Sequence, residues 1–194
     1  MFAANAQEVK FGAKAGLNLA SIGGDETDDN KSKVGFHIGG VAEVMFSDKF
    51  SVQPELVYSV QGAKAEYTEE LFGEEVNYTD KLKLNYINLP IMAKYYVAEG
   101  FSIEAGPQVG FLISAEQESE ASFDGETESE TTDVKEFTSG IDLGVGVGLG
   151  YKLEGGLNLA LRYNLGLSNI NDFDGSDDFK NQNNVLQLSV GYSF

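Results

Sequence analysis

The sequence predicts an all-β protein, an eight-stranded antiparallel up-and-down transmembrane β-barrel, on three observations. Nearly every segment outside the loops alternates in polarity with period 2, the mark of a strand whose two faces meet different environments. Eight such segments can be counted, and closed membrane barrels of this type need an even number. The connections alternate strictly between short and long, so an up-and-down barrel gathers the short turns at one rim and the long loops at the other.

The first strand sets Val9, Phe11, Ala13, Ala15, Leu17 and Leu19 against Lys10, Gly12, Lys14, Gly16 and Asn18. Others fall at about 34–46, 50–64, 82–97, 101–113, 137–151, 156–167 and 184–194. In the fourth, Leu82, Leu84 and Tyr86 run in one phase and Ile87, Leu89, Ile91 and Tyr95 in the other, which predicts a bulge near Tyr86. The sixth is the clearest, with Ile141, Leu143, Val145, Val147, Leu149 and Tyr151 opposite Gly140, Asp142, Gly144, Gly146, Gly148 and Gly150. A soluble sheet would put charges opposite its apolar face, whereas glycine there suits a crowded barrel interior. Pro54, Pro90 and Pro107 lie inside strands of a sheet without edges, so each predicts a bulge or a strand end.

Ser47-Asp48-Lys49, Ala98-Glu99-Gly100 and Lys152 to Gly155 are the tight, periplasmic turns, and 21–33, 65–81, 114–136 and 168–183 are the long, extracellular loops. Phe46, Phe50, Tyr95, Phe101, Tyr151 and Phe194 gather near the short-turn rim, where an interfacial aromatic girdle belongs. Residues 1–7 contain Ala4-Asn5-Ala6, a small-x-small pattern that reads as the remnant of a signal peptide or an artificial tail, followed by one barrel domain over 8–194. No apolar run approaches 18 residues, so no transmembrane helix is encoded, and without cysteine there is neither disulfide nor thiolate chemistry. The net charge of −18 argues against nucleic acid as a partner; divalent cations or basic partners fit better.

Phe11-Gly12-Ala13-Lys14-Ala15-Gly16-Leu17-Asn18, Tyr86-Ile87-Asn88-Leu89-Pro90 and the ending Val190-Gly191-Tyr192-Ser193-Phe194 resemble the small outer-membrane β-barrels labelled porin-family or PorT-like, and more distantly OmpX and the barrel of OmpA. The resemblance covers the chain from about residue 8. It implies a place in the bacterial outer membrane, contact with its lipid and lipopolysaccharide, and insertion by the barrel assembly machinery through a signal that includes Tyr192 and Phe194. The family has no common catalytic motif, so no enzyme activity and no cofactor are expected. The expected role is structural support, adhesion or docking within a larger outer-membrane complex. A narrow solute channel is the second reading. A soluble lipocalin-like carrier, with the apolar parity turned inward, is the third, and an outer-membrane protease or acyltransferase the fourth.

Parity sends Lys10, Lys14, Lys94 and Arg162 inward with Glu43, Glu55, Glu104, Asp142 and His37. Charges buried in a narrow barrel are costly unless paired, so this set is expected to form a salt-bridge network that plugs the lumen, with Glu104 or Asp142 as the partner of Arg162. His37 is the only histidine and is expected among the carboxylates as a structural partner, since no serine elbow or thiol accompanies it. Paired-carboxylate chemistry at Glu55 and Glu104 is weaker still, because inward carboxylates are ordinary in such barrels. The glycines from Gly144 to Gly148 are all spaced by two and continue as strand, unlike a dinucleotide loop.

Asp172, Asp174, Asp177 and Asp178 alternate like a calcium loop without the glycine and glutamate of an EF-hand, which leaves a weakly bound calcium or magnesium ion as an expectation. Of the 31 carboxylate residues, 23 lie in the long loops, nine of them (Glu116, Glu118, Glu120, Asp124, Glu126, Glu128, Glu130, Asp133 and Glu136) in the third. Like charges at that spacing repel, so this loop is expected to be mobile unless cations or a basic partner neutralise it.

Overall fold

Alternating segments bound by tight turns become strands, and in the computed structural model they are β1 (Val9–Gly24), β2 (Asn30–Ser47), β3 (Phe50–Leu71), β4 (Glu74–Tyr96), β5 (Phe101–Phe123), β6 (Glu126–Asp133), β7 (Ile141–Lys152), β8 (Leu157–Gly166) and β9 (Asn181–Ser193). It describes residues 8–194 apart from 26, 28, 29, 72, 73, 124 and 125, and apart from the side chains of 69–71, 74, 123, 126 and 177. Residues 1–7, read as a signal remnant or tail, lie outside the described residues. Two 3-10 turns, Lys135–Phe137 and Ser176–Asp178, complete the elements. Phe137, expected to open a strand, belongs to the first of these turns.

Eight strands pair antiparallel in sequence order, with β5 passing to β7, and the ring closes where β9 pairs with β1. Among the described residues β6 pairs only with β5, outside the ring. The outward face is apolar: Phe11, Leu17, Leu56, Val147 and Leu188 are all about half exposed. The inward face carries Lys14, Asn18, His37, Glu55, Glu104, Arg162 and Gln187, all buried. This polarity is the reverse of a lipocalin's and removes the soluble-carrier reading. Phe46, Phe50, Tyr95 and Tyr151 face outward near the short turns, and Phe50 pairs in register with Tyr95.

The irregularity near Tyr86 is present, but its extra residue is Ile113 on β5, since Asn85 pairs with Ser114 while Tyr86 pairs with Leu112. β4 therefore never changes phase. Leu84 and Tyr86 are apolar residues that point inward, and β5 switches faces, with Leu112 and Ala115 both buried. The prolines cause no bulge. Each falls in a gap of one ladder whose register is the same on both sides: Pro54 between β2 and β3, Pro90 between β3 and β4, Pro107 between β4 and β5. A missing donor interrupts a ladder without inserting a residue.

The second and third long loops are mostly strand. β3, β4 and β5 run 22 or 23 residues, while a tilted strand crosses the hydrocarbon in about 9–11. Together with β6, their outer halves form a four-stranded sheet standing off the extracellular rim. The glycines of β7 line a crowded wall: a Cβ at Gly146 would lie 2.7 Å from Asn164 Oδ1, and one at Gly148 would lie 3.0 Å from Glu104 Oε1.

Candidate functional site

The lumen is filled in three tiers. In the middle, Arg162 donates from Nη1 and Nη2 to the two oxygens of Glu55 at 3.0 and 2.7 Å, and from Nε to Glu104 at 2.7 Å. Lys14 and Gln53 also donate to Glu55, at 2.8 and 2.7 Å. Below, toward the periplasm, Glu43 accepts from Ser51 at 2.7 Å and Tyr96 at 2.5 Å, with Lys94 and Lys152 each 3.6 Å away. Above, Ile22, Ala63, Leu84, Tyr86, Leu112, Ala115 and Ile170 form an apolar cluster that closes the extracellular end. Ile170 reaches it from the last loop, which Asn169 and Asn171 fold by donating to the carbonyl of Phe179.

Three expected members stand apart from these ion-paired tiers. Lys10 lies near the rim, partly exposed, with Glu8 as its partner at 3.2 Å. Asp142 accepts from Ser168 at 2.8 Å and has no cation within ion-pair distance among the described residues, so it is not the partner of Arg162. His37 sits among amides and hydroxyls rather than carboxylates. Its Nδ1 lies 2.8 Å from Asn18 Oδ1 and its Nε2 2.8 Å from Ser189 Oγ.

Asn18 Oδ1 can only accept, so the His37 proton is assigned to Nδ1, and Nε2 accepts from Ser189. The order Ser189, His37, Asn18 is that of a nucleophile, a base and its orienting group. All three are at most 4% exposed, however, and Asn18 is tied further to Ser59 and to the carbonyls of Phe36 and Val60. Lys152, placed in a turn by its sequence neighbours, is the member of the lower tier that parity alone would have found, since it continues the inward series of Gly148 and Gly150.

On the extracellular sheet the acidic side chains divide by face. Glu116, Glu118 and Glu120 point to the same side as Lys81 and Lys83, with Lys81 at 2.6 Å from Glu120 and 3.7 Å from Glu118, and Lys83 at 3.5 Å from Glu116. With this compensation β5 keeps a ladder with both neighbours through Glu116, Glu118 and Glu120, so this part of the expected loop is strand. On the other face the register aligns Asp80, Ser119 and Glu130, and beside them Tyr67, Tyr78, Ala121 and Glu128. Tyr67 and Tyr78 stack with ring centroids 5.2 Å apart.

Glu128 and Glu130 are exposed and have no ion-pair partner among the described residues. Asp133 caps the amide of Lys135 at 2.9 Å, and Glu136 is exposed beside it. Asp124 and the side chain of Glu126 lie outside the described residues. On the outer half of β3, Glu66 bonds Lys31 and Lys64, each at 2.7 Å, and these contacts lower its carboxyl to about 2.

The residues of the expected divalent site lie in the last loop. Asp172, Asp174 and Asp178 do not converge, no group of three potential ligands forms among the described residues, and the Asp177 side chain lies outside them. The loop is organised by asparagine amides, and Asp172, Asp174 and Asp178 are exposed. Tyr192 and Phe194 are exposed on the outer face of the periplasmic rim, where Phe194 donates its amide to Phe11 at 2.9 Å.

A closed ring of strands, apolar outside and ion-paired within, defines an outer-membrane β-barrel. The chain belongs to the outer membrane protein beta-barrel domain family, whose model matches residues 5–172. It is similar to Ail, the attachment invasion locus protein of Yersinia pestis, solved in complex with the heparin analogue sucrose octasulfate: 15% identity over 96% of this chain and 99% of that one, with a TM-score of 0.51. It is also similar to Neisserial surface protein A, at 14% identity over 96% and 99% of the two chains and a TM-score of 0.54. At these identities the likeness is one of fold. Comparison with curated proteins gives no match. The protein is therefore located in the bacterial outer membrane.

Proposed function

We propose that the protein is a non-enzymatic docking component of the outer membrane, in which the barrel is the anchor and the extracellular sheet receives a basic, extended segment of a partner along β6. The observation that carries this reading is the open edge of β6. The strand has eight residues, no proline and no bulge, and nothing pairs with its far side among the described residues. An unpaired edge is a template for another strand. Its charge selects the guest: residues 66–81 and 114–133 hold fourteen carboxylate residues and one lysine, Lys81.

The face bearing Asp80, Glu128, Glu130 and the tyrosine stack offers carboxylates and aromatic surface together, which suits lysine and arginine side chains. Ail was solved with a sulfated ligand; an acidic sheet favours the opposite charge. The network of Glu55, Glu104 and Arg162 and the apolar cluster above it argue against a solute path through the lumen.

The test is titration of a fluorescent ten-residue peptide of alternating threonine and lysine into the protein in neutral detergent. Saturable binding that weakens steeply with salt and is lost on deleting 118–131 supports the reading. Binding unchanged by that deletion would overturn it.

A further inference from the structure

We propose that the periplasmic mouth of the barrel is an anion site, in which Lys94 and Lys152 hold a phosphate-type group. The first observation is a cavity of about 50 Å³ inside this end of the lumen, lined by four cations, Lys14, Lys94, Lys152 and Arg162, against one carboxylate, Glu104, with Ser102 and Asn158 among the others. Such a volume holds more than a single water. Gly150, Ala160 and Gly191 also line it, and their small size keeps the space open.

The second observation is a local charge imbalance. In the middle tier Lys14 and Arg162 match Glu55 and Glu104, all at 2.7–3.0 Å. Among the described residues that leaves Glu43 as the one carboxylate within ion-pair distance of both Lys94 and Lys152. Each ammonium is 3.6 Å from it, beyond hydrogen-bond reach, and its Oε1 already accepts from Ser51 and Tyr96. Lys94 has a further bond to Gln53 at 3.1 Å, whereas Glu43 is the only ion-pair partner of Lys152 among the described residues.

One cation is therefore in excess, and it sits beside the cavity on side chains only 12% and 24% exposed. Two partly buried ammoniums that share one carboxylate leave a charge uncompensated, and an anion in the cavity relieves that cost. A tetrahedral oxyanion can accept from both lysines and from the Ser102 hydroxyl at once, which a spherical halide cannot. The group can belong to a phospholipid of the inner leaflet or to free phosphate.

The test is calorimetric titration of inorganic phosphate into the protein in maltoside micelles, with chloride as the reference anion. Wild type is expected to bind one phosphate per chain. Lys152→Gln should weaken binding at least tenfold, the exposed turn variant Lys49→Gln should leave it unchanged, and Glu43→Gln should tighten it by removing the competing carboxylate. Lys152 is the mildest change to the fold, and circular dichroism verifies that the variant barrel has formed. No saturable binding, binding no better than chloride, or equal behaviour of K152Q and K49Q would overturn the site. Mass spectrometry of the protein extracted from membranes distinguishes the sources: a phospholipid adduct lost in K152Q assigns the site to headgroups, and phosphate binding without an adduct assigns it to the free anion.

Discussion

Glu55 on β3 and Arg162 on β8, 107 positions apart in sequence, form a two-pronged ion pair across the lumen at 2.7 and 3.0 Å. It ties opposite walls of the ring together. Arg162→Gln strands the Glu55 charge with Lys14 as its remaining cation, and should cost about 3–5 kcal/mol. Neutralising Glu55 together with Arg162 should cost less than the sum of the two single changes, read by urea unfolding in lipid vesicles. Additive losses would show the pair to be uncoupled.

The lipid face can be tested by introducing charge. Val145 and Leu159 point outward on β7 and β8. Arginine at Val145 should cost about 2–4 kcal/mol, as for a site near the bilayer midplane, and less at Leu159, which pairs with Tyr151 of the aromatic girdle. Asn158 points inward and donates to Gly156 and Ser193, so Asn158→Ser should cost only about 1 kcal/mol. Equal tolerance on the two parities would contradict the orientation.

Glu66, on the outer half of β3, predicts a pH response. The bonds from Lys31 and Lys64 lower the Glu66 carboxyl to about 2, against about 4.3 for a free glutamate. A depressed folded-state value means the stabilisation is present above the ordinary glutamate range and is lost as pH falls through about 2. The pair is exposed, so solvent screening keeps its effect on stability small. Carbon NMR should show the Glu66 carboxylate still ionised at about pH 3, and a midpoint near 4.3 would contradict the ion pair.

His37 is predicted to be structural. His37→Leu leaves the Ser189 hydroxyl without its acceptor and Asn18 Oδ1 with Gln187 as its remaining donor, which should cost about 1–3 kcal/mol. Ser189 should not react with a fluorophosphonate, because it is 4% exposed. Covalent labelling of Ser189 in the folded protein would contradict a purely structural role.

Strand parity was the legible part of this fold, because alternation reports directly which side meets lipid. It placed Lys14, Glu43, Glu55, Lys94, Glu104 and Arg162 inside from local pattern alone. Pairing was legible only in part: Glu104, one of the two expected partners of Arg162, does accept from it, but the choice of Glu55 over Asp142 as the other depends on the heights of β3, β7 and β8 around the ring, and no strand contains that information. The apolar inward pair Leu84 and Tyr86 looked like a slipped phase, because an apolar cluster inside a barrel breaks the rule that inward means polar. The strand character of 66–81 and 114–133 was hidden by charge. Threonine and tyrosine, at Thr68, Tyr78, Thr127 and Thr131, were the signal for it, as residues that favour strands.

The most direct test of the docking account is amide hydrogen exchange of the protein with and without a saturating lysine-rich strand peptide. A guest strand on the open edge forms new backbone hydrogen bonds there, so the account predicts slowed exchange at amides of β6, Glu126 to Asp133, with the barrel strands unchanged. Protection that appears only in the last loop or the periplasmic turns, or an exchange pattern of β6 unaltered at saturation, would contradict it.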